Sequence, residues 1–274
     1  VAHIAGGEIT EGAIDDALRH SMTKLSHLHF VATSEYGERV LQMGEEPWRV
    51  VVSGAPTLDN LRQTKLWSRE ETARHFDFEL DRPVALVTYH PVTLEYHHTD
   101  EQVHSLLAAL HKSQVQCLFT YPNADTASSK VIRAIEQFCH GHSDRRVVPN
   151  AGQNGYFSLM NAVSVMVGNS SSGLVEAPSF QLPVVNVGTR QAGRLRAANV
   201  IDCGYSPDEI GAALECALSP HFRASLHQLQ NPYGDGHAAE RIVQRLASLD
   251  TLPDLLGKRF TQYRLHCTSK GTKP

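Results

Sequence analysis

The sequence predicts an α/β fold with parallel sheets, in two units of which the first is incomplete. Three observations predict it. Short apolar runs alternate with stretches in which apolar residues recur every three or four positions, the pattern of strands joined by crossover helices. The apolar runs end in glycine, asparagine or His-Pro turns, as strands do in such sheets. Hydrophobic residues make up 41% of the 274 and charged residues 20%, the balance of a globular chain rather than a disordered one.

The elements follow in order. His3-Ile4-Ala5 is a strand stub running into Gly6-Gly7, where the backbone can turn tightly and a ligand can come close. A helix is predicted from about residue 12 to 26, with Ile14, Ala17, Leu18, Met22 and Leu25 on one stripe. Asp15–Arg19 and Asp16–His20 are spaced to pair on its surface. Residues 28–33 read as a buried strand, Ser34 as the N-cap of the next helix and Gly44 as its stop. Residues 48–53 form another strand, ended by Gly54-Ala55-Pro56. Residues 1–56 therefore supply the C-terminal part of a first unit, with too few strands for an open sheet of its own. A charged helical connector spans 57–80. The second unit, 81–250, is complete, with five or six strands. Its strands at 83–89, 115–121, 146–148, 163–167 and 182–187 are interleaved with helices at 99–113, 127–139 and 155–162, and late helices follow at 211–218 and 238–249. The tail, 251–274, is polar and is expected to be loose past Phe260.

Composition removes several classes of function. Lys+Arg number 25 against 29 Asp+Glu, a net charge of −4 that argues against a general nucleic-acid binder. No apolar run approaches the roughly 18 residues of a membrane span, and no basic-then-apolar leader opens the chain. Cys117, Cys139, Cys203, Cys216 and Cys267 are odd in number and form no CxxC pair, so they read as reduced thiols of a cytosolic protein. The densest histidine clusters, Cys139-His140-Gly141-His142 and His97-His98 with His104, lack zinc spacing and read as surface polar residues; no metal site is predicted.

Ligands of open parallel sheets bind beyond the carboxyl ends of the strands. That rule selects His90, Asn123, Ser170-Ser171 and the loop after Gly188, all in the second unit. Gly168-Asn169-Ser170-Ser171-Ser172-Gly173 joins a strand to a helix, where backbone N–H groups, the helix dipole and serine hydroxyls favour an anion. One serine would be an ordinary N-cap; three between glycines tilt the reading toward phosphate. Glu176, one to two turns on, can accept two ribose hydroxyls, although alone it reads as an acid serving the helix dipole. Residues 188–196 hold Arg190, Arg194 and Arg196, a focused anion site or a solvated loop. Together these loops suggest a diphosphate ligand. The P-loop lysine and the GxGxxG fingerprint are both missing, which disfavours ATP and NAD. The first unit supplies His3, Glu8, Asp15 and Asp16, groups suited to moving a proton, although Asp15-Asp16 alone would be an ordinary helix N-terminal pair.

These residues carry a resemblance. His3-Ile4-x-Gly6-Gly7-Glu8-x-Thr10, the segment Ile14 to His20, and Thr23-Lys24-Leu25-Ser26-His27 resemble the hydrolysing UDP-N-acetylglucosamine 2-epimerases. So, in the same order, do His90-Pro91-Val92-Thr93, the serine turn, Gly188-Thr189-Arg190-Gln191-x-Gly193-Arg194 and Asn231-Pro232-Tyr233-Gly234-Asp235-Gly236. The resemblance covers the chain to about Phe260. It implies two Rossmann-like lobes of the GT-B type, with the first lobe incomplete and the active site between them. The implied reaction converts UDP-GlcNAc and water to UDP and N-acetylmannosamine by loss of UDP and hydration of a glycal. A sub-branch acts likewise on a UDP-2,4-diacetamido-2,4,6-trideoxyhexose. The implied acid/base and substrate groups are Asp15, His90 and, with a less defined role, Glu8; His3, in the same motif, is expected to bind the substrate. Ser170, Ser171 and Arg190 would meet phosphate, Glu176 the ribose, and Asn123 would stand near the ligand. The implied partner is a UDP-sugar and a homo-oligomer is expected, with no metal or other cofactor. Two departures bear on this. Ala5 stands where family members carry glutamate or histidine, and alanine cannot move a proton. The family's opening strand, its glycine-arginine loop and a further catalytic aspartate would lie upstream of Val1, about 100 residues of the first lobe. A UDP-binding fragment without catalysis is the rival of a different class, and a glycosyltransferase of similar architecture fits the first-unit motif less well.

Overall fold

A computed structural model describes residues 1–11, 15–124, 127–249 and 253–262. The strands are β1 (Ala2–Ile4), β2 (Leu28–Val31), β3 (Val50–Val52), β4 (Val84–Thr88), β5 (Gln116–Thr120), β6 (Arg145–Val148), β7 (Val165–Gly168), β8 (Val184–Val187) and β9 (Val200–Cys203). The α-helices are α1 (Asp15–Leu25), α2 (Ser34–Gln42), α3 (Thr57–Gln63), α4 (Arg69–Phe76), α5 (Thr99–Ser113), α6 (Ser128–Cys139), α7 (Gly152–Ala162), α8 (Ser172–Val175), α9 (Pro207–Leu218), α10 (Pro220–Ser225), α11 (Ala238–Ala247) and α12 (Pro253–Leu256). β1-β2-β3 form one parallel sheet, and a second parallel sheet runs β6-β5-β4-β7-β8-β9.

The second sheet starts at its centre. β4 pairs with β5 on one side and with β7 on the other, so the strand order reverses between β4 and β7. Its inner strands are fully buried, with helices on both faces, and this is why they read as continuous apolar runs. α5, α6 and α9 cover one face through Leu106, Leu110, Val131, Ile135, Ile210 and Leu214. α7 and the connector cover the other through Phe157, Leu159, Met160, Phe76 and Phe78.

Several expectations shift. The connector is two helices, α3 and α4, because Ser68 starts a new one: its hydroxyl accepts from the Glu71 N–H while the Glu71 carboxylate accepts from the Ser68 N–H. α2 is capped by Thr33, whose hydroxyl accepts from the Tyr36 N–H at 3.2 Å, and not by Ser34, the helix's first residue. β9 adds an edge strand to the five placed by pattern, and the second sheet has six strands, within the five or six expected.

α1 lies where periodicity places it, but its apolar stripe faces outward. Leu18, Met22 and Leu25 are 59%, 50% and 75% exposed. The inward face is polar and bonded. Asp16 accepts from the Thr10 N–H at 2.8 Å, Arg19 donates to the Glu8 carbonyl and the Thr10 hydroxyl, and Thr23 meets His3. Arg19 consequently turns toward Asp16 and the 8–10 loop rather than pairing with Asp15. Gly12 and Ile14 lie outside the described residues.

The chain returns to the first sheet at its end. Ile242 of α11 and Leu255 pack on Leu28 and Phe30. Asp59 of α3 caps α11 from outside it, accepting from the N–H groups of Ala238 (2.8 Å) and Ala239 (2.6 Å). Asp59→Ala is expected to cost about 1–2 kcal/mol in urea unfolding, as loss of an N-cap does; a change under 0.5 kcal/mol would contradict this role. The tail is anchored as far as it is described: Arg49 donates to the carbonyls of Leu255 and Gly257, each at 2.9 Å, and the Thr261 N–H donates to the Gly44 carbonyl. Residues beyond 262 lie outside the described part.

Candidate active site

The site begins at the strand-order reversal, the place where open parallel sheets leave a crevice at their carboxyl edge. Thr88 of β4 lies beside Gly168 of β7. A Cβ on Gly168 would sit 2.1 Å from the Thr88 carbonyl oxygen, and its φ is +132°, so only glycine lets the two strand ends close up. His90 therefore follows one of two touching strands and the serine turn follows the other. Asn123 follows β5 and Arg190 follows β8, their outer neighbours.

His90 is 5% exposed. Its Nδ1 lies 3.1 Å from the Asn123 N–H and must accept from it. Burial, with the nearby Arg190 charge as a second cause, pushes its pKa down to about 3. The ring is thus neutral with its proton on Nε2, and an N–H donor is what it offers.

Asn169 joins the strand ends. Its side-chain oxygen accepts from the His90 N–H at 2.7 Å and its amide donates to the His90 carbonyl at 2.8 Å. Its own carbonyl accepts from Arg190 Nη1 at 3.1 Å and Gln191 Nε2 at 2.8 Å. Beside it, the Ser170 hydroxyl accepts from the Ser172 N–H, and the Ser171 carbonyl accepts from the N–H groups of Leu174 and Val175, which starts α8. Tyr156, partly buried in the core below the turn, has its pKa raised by burial, with Thr88, Ser170 and Ser172 hydroxyls close enough to oppose the shift.

The arginine loop is braced from the His90 side. Glu95 accepts from the Thr189 hydroxyl (2.6 Å), the Tyr205 hydroxyl (2.8 Å) and the Gln102 amide (2.6 Å). Burial pushes the Glu95 carboxyl up, but these donors outweigh it and hold it below the ordinary value. Glu176 is buried, and burial raises its pKa over the opposing pull of the nearby Thr57 and Ser172 hydroxyls.

The first-unit groups divide. Glu8 forms an ion pair with Arg194 at 3.0 Å, both side chains mostly buried, and the Glu11 N–H donates to the Ala192 carbonyl. The acid-bearing segment therefore rests on the arginine loop. Asp15 stands exposed in the first turn of α1. His3 is buried under α1, its Nδ1 3.2 Å from the Thr23 hydroxyl, with its pKa lowered by burial and then by Arg19. The 231–236 motif stitches the sheets together: the Tyr36 and Tyr233 hydroxyls meet at 3.0 Å, and both bond the Leu195 backbone.

The family model described as UDP-N-acetylglucosamine 2-epimerase matches residues 1–247. The chain belongs to this family. It is 35% identical over 262 residues to the GDP/UDP-N,N'-diacetylbacillosamine 2-epimerase (hydrolyzing) of Campylobacter jejuni, an alignment that covers 95% of this chain and 68% of that protein. It is 36% identical over 259 residues to the UDP-N,N'-diacetylbacillosamine 2-epimerase (hydrolyzing) of Legionella pneumophila, covering 94% and 67%. The chain thus spans about two thirds of the length of these relatives. Its fold is similar to that of the UDP-GlcNAc 2-epimerase of Neisseria meningitidis solved with UDP-GlcNAc, with a TM-score of 0.78, 20% identity, and coverage of 91% of this chain and 70% of that one. The family fold is GT-B-like, and the two parallel sheets of this member agree with it.

The strand-end rule accounts for why His90, Asn123, the serines and Arg190 stand together. It leaves Asn169, Glu95, Gln191, Tyr205 and Tyr156 as site residues that the sequence did not single out. Asn169 and Gln191 alone carry a signal, their places inside the serine and arginine motifs. Among the described residues no group of three or more His, Cys, Asp or Glu side chains could hold a metal ion, and no helix is long and apolar enough to cross a membrane.

Proposed function

We propose that this member of the family is a hydrolysing 2-epimerase of a UDP-sugar. One observation carries the reading: His90 and the serine turn stand side by side at the strand-order reversal, with Arg190 bonded to the same turn. Arg190, the serine hydroxyls and the backbone N–H groups at the start of α8 would take the diphosphate. Glu176 would take the ribose hydroxyls. In the reaction the C2–H bond breaks as the C1–O bond to UDP breaks, and the C2–H electron pair forms the C1–C2 double bond of a glycal. Water then adds its hydroxyl to C1 and a proton to C2 on the opposite face, which leaves the 2-epimer. Asp15, exposed in the first turn of α1, would move the proton, and the His90 Nε2–H would stabilise charge on the departing nucleotide. Glu8 would tie the acid-bearing segment to the arginine loop through Arg194. Asn123 would hold the His90 ring, and His3 would support the Gly6-Gly7 turn from below.

For the sugar, the motifs favour UDP-GlcNAc, giving N-acetylmannosamine. The same chemistry on a UDP-2,4-diacetamido-2,4,6-trideoxyhexose is favoured by the names of the two relatives above, at 35% and 36% identity. A homo-oligomeric state belongs to the same proposal, on the family resemblance. The test is UDP release by the purified chain from each sugar nucleotide, with the sugar product identified by NMR. Release of UDP with a 2-epimerised free sugar is expected from one of them. UDP binding without release from either would replace the proposal by a UDP-binding role, and the absence of both would overturn the nucleotide site.

A further inference from the structure

Asn169 makes a set of contacts that a strand-end turn does not require. Its side chain is buried without exposure and closes a two-bond ring with the His90 backbone, accepting from its N–H and donating to its carbonyl. Its carbonyl receives Arg190 and Gln191, and its N–H donates to the Thr88 carbonyl at 3.1 Å. One residue thus touches the ends of β4, β7 and β8. Among the described residues the His90 ring is held at Nδ1, by the Asn123 N–H at 3.1 Å.

We propose that Asn169 is a positioning residue: it locks the His90 backbone so that the imidazole presents Nε2–H, and it holds the Arg190 guanidinium in register with that ring. The inference rests on the UDP-sugar reading for its purpose but not for its test. The amide is matched to this task. Aspartate of the same shape would keep the acceptor but lose the donor to the His90 carbonyl, and would bring a charge beside His90 and Arg190. Alanine would lose both bonds and admit water behind the ring. Glutamine would be too long for the turn.

The experiment uses the whole chain labelled with 15N-histidine, as wild type, Asn169→Asp and Asn169→Ala. In the wild type, His90 is expected to show the Nε2–H tautomer and to stay neutral from pH 8 to 5, since burial and Arg190 disfavour its charged form. In Asn169→Asp, His90 is expected to titrate at a higher pH than in the wild type. In Asn169→Ala, the tautomers should mix and the ring should titrate near the ordinary 6.5. In parallel, kcat/KM for UDP release should fall on the order of 100-fold in both variants, as for a displaced reacting group. A variant with lowered Tm but unchanged His90 tautomer and titration would overturn the proposal and leave Asn169 a packing residue. Should one variant fail to fold, the other decides. A wild-type chain that releases no UDP would count against the UDP-sugar reading alone, because the histidine spectra need no substrate.

Discussion

Replacing His90 by alanine is expected to lower kcat/KM for UDP release by about 10²–10⁴-fold, the range for loss of a positioned proton donor. The fold should survive, because the strand end is held by backbone bonds to Asn169 rather than by the ring. The same chemistry dictates the pH behaviour. With its pKa pushed down to about 3, His90 is uncharged at every pH where the enzyme would work. The wild-type profile of kcat/KM should therefore carry no histidine inflection near 6.5 from this residue. The unfolded chain does bind that proton between about 6.5 and 3 while the folded chain refuses it, so His90 lowers stability as pH falls through that window. Alanine removes this penalty. Urea unfolding at pH 7.5 and pH 5 should show His90→Ala gaining relative to wild type at the lower pH. Rates within threefold of wild type, or a wild-type inflection near 6.5 that disappears in the variant, would refute the assigned role.

What was legible in the sequence, and what was not, follows from where each signal resides. The inner strands of the second sheet are runs of four or five buried residues, and no other placement suits such runs between amphipathic helices. β9 leaves no clear apolar run because Val200–Cys203 is only half-buried at the sheet edge and carries Asp202. His90, Asn123, Ser170 and Arg190 could be chosen together because the strand-end rule needs only element order. Asn169 could be placed by that rule too, but its purpose could not: an asparagine bonded to the backbone of a residue 79 positions away leaves no local pattern. α1 is the converse case. Its apolar stripe correctly signalled a helix and wrongly implied which face is covered, because Asp16, Arg19 and Thr23 find partners on the inner side.

Glu45 was equally invisible, in a Gly-Glu-Glu-Pro turn that reads as solvent-facing, and its replacement by alanine is expected to cost about 3 kcal/mol. Its carboxylate has no exposed surface and accepts from Lys24 (2.6 Å), Lys258 (2.8 Å) and His29 Nε2 (3.0 Å). Surface pairs contribute about 0–1 kcal/mol each. Here the three donors converge on one buried acceptor, and their fates on its removal differ. Lys24 is 45% exposed and regains water, and Lys258 keeps the carbonyls of Lys24 and Ser26. His29 is fully buried and would be left with no acceptor for its Nε2–H, so it dominates the cost. The His29 Nδ1 is already buried without a partner, which only a neutral ring tolerates. Burial accordingly drives the His29 pKa down to about 4, over the opposing pull of Glu45. Burial also pushes the Glu45 carboxyl up, but Lys24, Lys258 and His29 together hold it below the ordinary 4.5. The signs agree. His29 costs stability as pH falls from about 6.5 toward 4, and the Glu45 contribution is lost below about 4.5. Glu45→Ala should therefore unfold in less urea at pH 7.5, and the gap to wild type should narrow as pH falls below about 4.5. Lys258→Ala, which leaves Glu45 two donors, should cost about 1 kcal/mol and separate the tail's contribution from that of the buried acid. A Glu45→Ala loss no larger than that of Lys258→Ala would mean that the tail, and not the buried carboxylate, holds this corner of the first sheet.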